Sequence, residues 1–322
     1  MNWMKTLKRW MVAAWLLACA ASFAQDRSPI RIFVGFVPGG TTDIVARMLA
    51  EELRQELGRT VLVENKPGVS GRLAAEALKN APPDGSAYLF APDSWAIFPT
   101  LLVPQASLRY DYFEDMAPVA RVISYPLGLY ASKSAGVRNA QEVIVQAKAR
   151  PESAMYASSG TGGISELLGL LLTRSFGVQL TTVPFKGSAD VKAALLGGQV
   201  PLGIMAPAEI LRYTDDKIVP IGFMSSKRWP VAPHIPTLAE QGFPVTQGDA
   251  FMGLWASSRT PRAQRQQMEG AVRKILAKPD FREKLVQKTL EPSFASASEL
   301  DQQVRQLVTF WGPILKEAGV KP

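Results

Sequence analysis

Two glycine-rich segments, far apart in the chain, combine residue types that suit the binding of an anion. Each follows a short apolar run and precedes a segment with helical spacing, and free N–H groups at the start of a helix attract negative charge. Glycine also lets the backbone approach a ligand closely. We therefore predict a cleft that holds an anion from both sides. The segments contain Pro38, Gly39, Gly40 and Thr41, and Ser158, Ser159, Gly160, Thr161 and Gly162.

Side chains for other chemistry are scarce. His234 is the only histidine and Cys19 the only cysteine, which disfavours a thiolate or multi-histidine metal site. The chain lacks G-x-S-x-G and G-x-x-x-x-G-K-[ST], and the segment at Gly160 lacks the third glycine of G-x-G-x-x-G. We therefore expect no enzyme activity, metal or cofactor. A triad built on His234 stays open, and a hydrolase or lyase of the envelope on the same two-lobed scaffold is the alternative in another class.

The start of the chain has the pattern of an export signal. Lys5, Lys8 and Arg9 precede an apolar run at residues 11–21, and residues 22–24 fit a cleavage site. We predict a signal peptide over residues 1–24, because the apolar run is too short to span a bilayer. Lipid attachment at Cys19 is the alternative, since residues 16–19 loosely resemble a lipoprotein box.

Net charge adds little to the functional argument. The 322 residues carry a formal charge of +8, and removal of the signal leaves about +5. This excess favours acidic solutes weakly. Because the basic residues are scattered along the chain, a nucleic-acid partner is not expected.

Apolar runs and amphipathic segments alternate, which predicts parallel βαβ units in two α/β halves with a loop-lined cleft between them. Predicted strands lie at 31–37, 60–64, 86–91, 126–131, 154–157, 180–184, 200–205, 218–223 and 251–256. Predicted helices lie at 44–57, 71–80, 139–149, 164–176, 188–196, 261–277, 281–286 and 298–316.

Six motifs in chain order carry a resemblance to a known family. The longest is VGFVPGGTTDIVAR at 34–47, and the others lie at 63–68, 83–85, 156–162, 183–200 and 236–240. Together they span nearly the whole chain after the signal. The chain resembles the Bug-type substrate-binding proteins of tripartite tricarboxylate transporters.

The resemblance implies a periplasmic binding protein with a two-lobed, type II-like α/β fold, mixed sheets flanked by helices, and a hinge. Lobe 1 would contain residues 27–126 and 247–322, and lobe 2 residues 127–246. The ligand would be a small carboxylic acid, in this family often a dicarboxylate, and the partners membrane subunits of the transporter. A sensor kinase is an alternative partner, because transport and sensing use the same closed state. We expect a monomer.

Carried onto this sequence, the resemblance and the two glycine-rich segments give a set of candidate ligand-binding residues. Asp43 is expected to support the first loop rather than to contact an anion. The candidates are Phe36, Pro38, Gly39, Gly40, Thr41, Ser94, Trp95, Ser158, Ser159, Gly160, Thr161, Gly162, Ser165, Lys186, Met205 and Phe251.

The chain departs from the family pattern at two positions with chemical consequences. Glu166 stands where relatives usually have His, and the sequence leaves open whether it caps its own helix or faces the cleft. Met205 and Ala206 stand where many relatives have Asp-Asn. Because that acid would pair with a ligand amine, its absence predicts a preference for acids without an amino group.

Aromatic residues are candidates for the walls of the cleft. Trp95 and Phe98 follow a predicted strand at positions where relatives often have polar residues. With Phe36, Met205 and Phe251 they would make the pocket apolar and favour a ligand with a hydrocarbon or aromatic body. Packing of Trp95 and Phe98 inside lobe 1 is the alternative.

Overall fold

The computed structural model describes residues 28–68, 71–151, 154–160, 163–214 and 217–317. The predicted signal peptide, with Cys19, and the loop residues Thr161 and Gly162 lie outside the described residues. Within the described ranges, no helix is long and apolar enough to cross a membrane.

Strands and helices alternate along most of the described chain. The strands are Ile30–Val34 (β1), Val61–Asn65 (β2), Ala87–Pro92 (β3), Met116–Pro126 (β4), Gly128–Ser132 (β5), Met155–Ser158 (β6), Thr181–Pro184 (β7), Leu202–Met205 (β8), Ile218–Phe223 (β9), Asp249–Ser257 (β10) and Glu291–Ser296 (β11). The helices are Thr41–Leu57 (α1), Arg72–Lys79 (α2), Ser94–Leu102 (α3), Tyr112–Asp115 (α4), Ala140–Ala149 (α5), Ile164–Phe176 (α6), Ser188–Leu196 (α7), Pro207–Ile210 (α8), Arg262–Ala277 (α9), Pro279–Val286 (α10) and Ala297–Glu317 (α11).

The strands form two mixed sheets. The first has the order β11-β4-β10-β3-β1-β2, with β1 parallel to β2 and β3 and with β10 antiparallel to β3 and β4. The second has the order β7-β6-β8-β5-β9, with β6 parallel to β7 and β8 and with β5 antiparallel to β8 and β9. The chain leaves the first sheet after β4 and returns to it at β10.

The central strand β3 shows why helices must cover both faces of the first sheet. All six of its residues are buried, a pattern typical of a strand that is covered on both sides. On one side, α1 contributes Val45, Leu49 and Leu53, which recur every four residues and so share one helix face. This packing fixes the start of α1 at the carboxyl end of β1.

Several predicted elements differ from the observed ones. The first strand ends at Val34 rather than at residue 37, and the strand predicted at 126–131 is β5, which begins at Gly128. Strands β4 and β11 and helix α3 were not predicted. Prolines in all three elements disguise the local pattern, while pairing with β10 fixes β4.

Candidate functional site

A cavity of about 320 Å³ is lined by residues that follow strands of both sheets. Its walls include the loops after β1 and β3 on the first-sheet side and those after β6, β7 and β8 on the second-sheet side. The lining includes Phe36, Gly40, Thr41, Asp93, Ser94, Tyr125, Ser159, Ile164, Ser165, Ser188, Met205 and Glu209.

Four helices begin at this cavity. The first residues of α1, α3, α6 and α7 all line it: Thr41, Ser94, Ile164 and Ser188. None of these four N-termini has a side-chain cap, and three of the N-cap residues are glycines. Each such N-terminus favours an anion by about 0.3–1 kcal/mol when exposed. The sequence had predicted the two at α1 and α6.

Asp43 holds the first glycine-rich loop in place. Its Oδ2 accepts hydrogen bonds from the Gly39 backbone N–H (2.9 Å) and Arg47 Nε (3.0 Å), and its Oδ1 accepts one from Asn65 Nδ2 (2.8 Å). Asn65 also donates to the carbonyl of Phe36. Burial opposes ionisation of Asp43, but the hydrogen bonds from Arg47, Gly39 and Asn65 outweigh it and lower the pKa of this carboxyl.

The second loop is held by neutral groups. Ser165 Oγ accepts the backbone N–H of Ser159 at 3.0 Å and lies 3.2 Å from the Ser159 hydroxyl. The Thr182 hydroxyl donates to Ser158 Oγ at 3.2 Å, beneath the loop. Gly160 has φ of +131°, a backbone conformation that residues with a side chain rarely adopt.

The structure brings seven of the candidate residues to the cavity wall. These are Phe36, Gly40, Thr41, Ser94, Ser159, Ser165 and Met205. Pro38, Gly39, Gly160 and Lys186 do not line it, and Lys186 is exposed. Ser158 is fully buried under its loop, and the N–H of Gly39 is occupied by Asp43.

The positions of Trp95 and Phe251 correct the expectation that they line the cleft. Both are almost completely buried. Trp95 packs edge-on against Trp255, with ring centroids 5.3 Å apart, because α3 lies against the first sheet. Phe98 packs against Trp311 of α11 at 6.1 Å. The apolar part of the cavity wall is formed instead by other side chains, including Phe36, Ile164, Ile204 and Met205.

Two carboxyl side chains on the cavity wall were missed in the sequence. Asp93 follows β3, and burial raises its pKa to about 7 although backbone hydrogen bonds at Ser94 and Phe251 lower it in part. Glu209 lies on α8, where burial also raises its pKa, and a hydrogen bond with Ser188 and the charge of Lys192 oppose that effect. Asp93 could have been found in the sequence, because it is an acidic residue directly after a wholly apolar run.

Glu209 also corrects the argument built on Met205. Met205 lines the cavity as expected, but Glu209 supplies a carboxyl to the same cavity from the next helix. The substitution at 205 therefore does not leave the cavity without a partner for an amine. Glu166 does not line the cavity, and its backbone carbonyl accepts the Tyr156 hydroxyl at 3.0 Å.

Among the described residues that line the cavity there is no Lys, Arg or His. Within the part of the chain that the structure describes, no three His, Cys, Asp or Glu residues are grouped to hold a metal ion. The polar groups that the described residues bring to the cavity are thus backbone N–H groups, hydroxyls and two carboxyls.

Comparison with known proteins agrees with this geometry. Residues 45–320 match the model of the tripartite tricarboxylate transporter family receptor, TctC. Rpa4515 of R. palustris, solved with adipate, is 28% identical with a TM-score of 0.82, covering 91% of this chain and 98% of its own. The periplasmic binding protein BugD is 31% identical (TM-score 0.78; 92% and 99% covered). MatC of Rhodopseudomonas palustris, with bound malate, is 28% identical (TM-score 0.76; 89% and 98%).

These likenesses extend over the two-lobed fold and almost the full length of each neighbour, so the family resemblance and the fold inferred from the motifs are confirmed. The chain belongs to the tripartite tricarboxylate transporter receptor family, together with periplasmic solute-binding proteins of the Bug type.

Proposed function

We propose that this protein is an extracytoplasmic solute-binding protein that captures a small carboxylic acid in the cavity and presents it to the membrane subunits of a tripartite tricarboxylate transporter. The observation that carries the proposal is the convergence of four uncapped helix N-termini on one cavity. Two neighbours of the same family hold adipate and malate, both dicarboxylic acids, which supports the ligand class.

A carboxylate would bind mainly through backbone N–H groups at the starts of α1 and α6. Hydrogen bonds to a charged acceptor contribute about 1.5–3 kcal/mol each, several times the effect of one exposed helix dipole. Hydroxyls of Thr41 and Ser94 on the first-sheet side and of Ser188 on the second-sheet side line the cavity and are suited to complete the coordination, directly or through water.

Capture would proceed by closure of one lobe on the other. We assign residues 27–126 and 247–322 to lobe 1 and residues 127–246 to lobe 2, since the strands of the first sheet fall in the former ranges and those of the second in the latter. A ligand that contacts both walls stabilises the closed state by its differential affinity. A periplasmic location would follow from export by residues 1–24.

The proposal is tested by the purified mature protein, unfolded and refolded to remove carried-over ligand. Calorimetry with adipate, malate, glutarate and L-glutamate should give saturable binding of at least one acid, whereas the corresponding diols or amides should not bind. Mass spectrometry of molecules released during unfolding should identify an organic acid. Absence of binding across the acids, or turnover of ester or carboxylate substrates, would contradict the proposal.

A further inference from the structure

The cavity has an unusual charge arrangement for a site that receives an acid. Helix N-termini favour negative charge in it, yet Asp93 and Glu209 place two carboxyls on its wall. Neither carboxyl forms an ion pair within 4 Å with a residue that the structure describes. A ligand that is only anionic would meet attraction at the helix starts and repulsion at these two side chains.

The two carboxyls belong to opposite walls of the same cavity. Asp93 follows β3 of the first sheet, and Glu209 follows β8 of the second. Tyr125 lines the same cavity as both carboxyls. Burial raises the pKa of its phenol, and the charges of Asp93 and Glu209 raise it further. Tyr125 is next to the end of β4, where the chain passes from one sheet to the other. A cation beside Tyr125 would therefore be attracted by both walls.

The environment of Glu209 favours its charged form more than that of Asp93. Ser188 hydrogen bonds with Glu209, and Lys192, on the same helix as Ser188, adds a favourable charge. Only backbone hydrogen bonds oppose the burial of Asp93, and no cation contributes to its ionisation. Glu209 is thus the stronger candidate for an ionic contact, and Asp93 a second acceptor for an N–H donor.

We propose that the ligand of this cavity is a carboxylic acid that also carries a positively charged nitrogen, with the carboxylate at the helix N-termini and the nitrogen between Glu209 and Asp93. This inference rests on the proposed function and narrows its ligand class. It replaces the expectation, drawn from Met205, of a ligand without an amino group. That expectation considered the acidic side chain missing at position 205 but not the acidic side chains present at positions 93 and 209.

Matched pairs of probes test the nitrogen separately from the carboxylate. The pairs are glutarate with L-glutamate, succinate with L-aspartate, and butyrate with 4-aminobutyrate, each titrated into the refolded mature protein at pH 7.5. At least one amino member should bind ten-fold or more tightly than its partner. Glu209→Gln should lower the affinity for that amino acid by ten-fold or more without lowering the affinity for its non-amino partner. Asp93→Asn should change the two affinities in the same direction.

Glu114→Gln is the matched control, since Glu114 is an exposed carboxyl that does not line the cavity, and it should change neither affinity. Circular dichroism establishes that each variant is folded. If Glu209→Gln leaves the affinity for the amino acids unchanged, or if non-amino acids bind more tightly to the wild-type protein, the inference fails while the proposed function stands. Failure of every carboxylate to bind would overturn the proposed function itself.

A pH series separates the proposed contact from a rival explanation. If Asp93 and Glu209 were protonated donors to a plain dicarboxylate, adipate would bind tighter at pH 5 than at pH 8 and the amino members would have no advantage. That result would overturn the inference. The expected result is the reverse for the amino member of the pair, whose binding should weaken at pH 5 as Glu209 and Asp93 become protonated.

Discussion

The loop before α1 and the loop before α6 bring helix N-termini to the same cavity, but different chemistry holds each of them. In the first loop the buried carboxylate of Asp43 accepts hydrogen bonds from Gly39, Arg47 and Asn65. In the second, the contacts are between neutral groups, chiefly Ser165 with Ser159. Hydrogen bonds to a charged group are roughly twice as strong as neutral ones. The first loop is therefore the more strongly pre-organised half of the site.

Asp43 and Asp93, two carboxyls that follow strands of the first sheet, show the same contrast between a charged and an uncharged environment. Asp43 is paired with a cation, so its pKa is lowered and its charge stabilises the fold. Asp93 is buried without one, so its pKa is raised and its ionisation costs stability. A residue that costs stability on a cavity wall is expected where a ligand, rather than the protein, supplies the missing partner.

The largest effect should come from Asp43→Ala. The change leaves the Arg47 guanidinium, the Asn65 amide and the Gly39 N–H without their acceptor, and we expect a loss of about 3 kcal/mol in the free energy of unfolding at pH 7. Because the pKa of Asp43 is lowered in the folded chain, its stabilisation is present above the ordinary carboxyl range and disappears as the pH falls through the folded pKa. Urea unfolding at pH 7 and pH 3 measures both.

Asp301→Ala is the control for this prediction. Asp301 forms an ion pair with Arg305 at the same i,i+4 spacing and at 2.8 Å, but both side chains are solvent-accessible. Its loss should cost no more than about 0.5 kcal/mol. Equal losses in the two variants would show that burial of the Asp43 network contributes nothing.

Asp93→Asn should raise the free energy of unfolding, whereas Asp43→Ala lowers it. In the unliganded wild-type protein, Asp93 is protonated in both folded and unfolded states below about pH 4, while between about pH 4 and its folded pKa of about 7 the unfolded chain releases the proton first. Stability from this group is thus lost as pH rises. The variant should be more stable than the wild type by about 2 kcal/mol at pH 8, with little difference at pH 4. Parallel pH curves for the two proteins would refute this account.

Gly160→Val and Gly40→Val should separate stability from binding. Gly160 has φ of +131°, so valine there is strained and should cost about 1–2 kcal/mol of unfolding free energy. Gly40 has φ of −74°, and its added Cβ would meet only the Val37 carbonyl at 3.6 Å. Gly40→Val should therefore cost less stability than Gly160→Val, the remaining cost being that of valine at a helix N-cap, but should weaken binding of the tightest-binding acid by ten-fold or more. Calorimetry and thermal unfolding of both variants check this difference.

Ser165→Ala should cost less stability than Asp43→Ala. The variant removes the acceptor of the Ser159 N–H, a neutral hydrogen bond whose loss costs about 1 kcal/mol. Urea unfolding measures it beside Asp43→Ala. A cost equal to that of Asp43→Ala would remove the proposed difference between the two loops.

Local sequence patterns were sufficient for much of the fold. Glycine-rich turns before periodic apolar residues predicted the starts of α1 and α6 within a few residues, because a helix start and an amphipathic face are read over short windows. The prolines at 118 and 292 and the arginine at 121 disguised β4 and β11. Those strands form because long-range pairing in the first sheet outweighs their local preference.

By itself the sequence determined the family, the two glycine-rich loops and the absence of a familiar catalytic set. Only the tertiary structure decided that α3 and α7 also begin at the cavity, that Trp95 packs in the core, and that Asp93 and Glu209 face one cavity from opposite walls. The physical reason is that Asp93 and Glu209 lie more than a hundred residues apart. Their convergence depends on the order of strands in two separate sheets. The spacing of residues within one segment carries no information about that order.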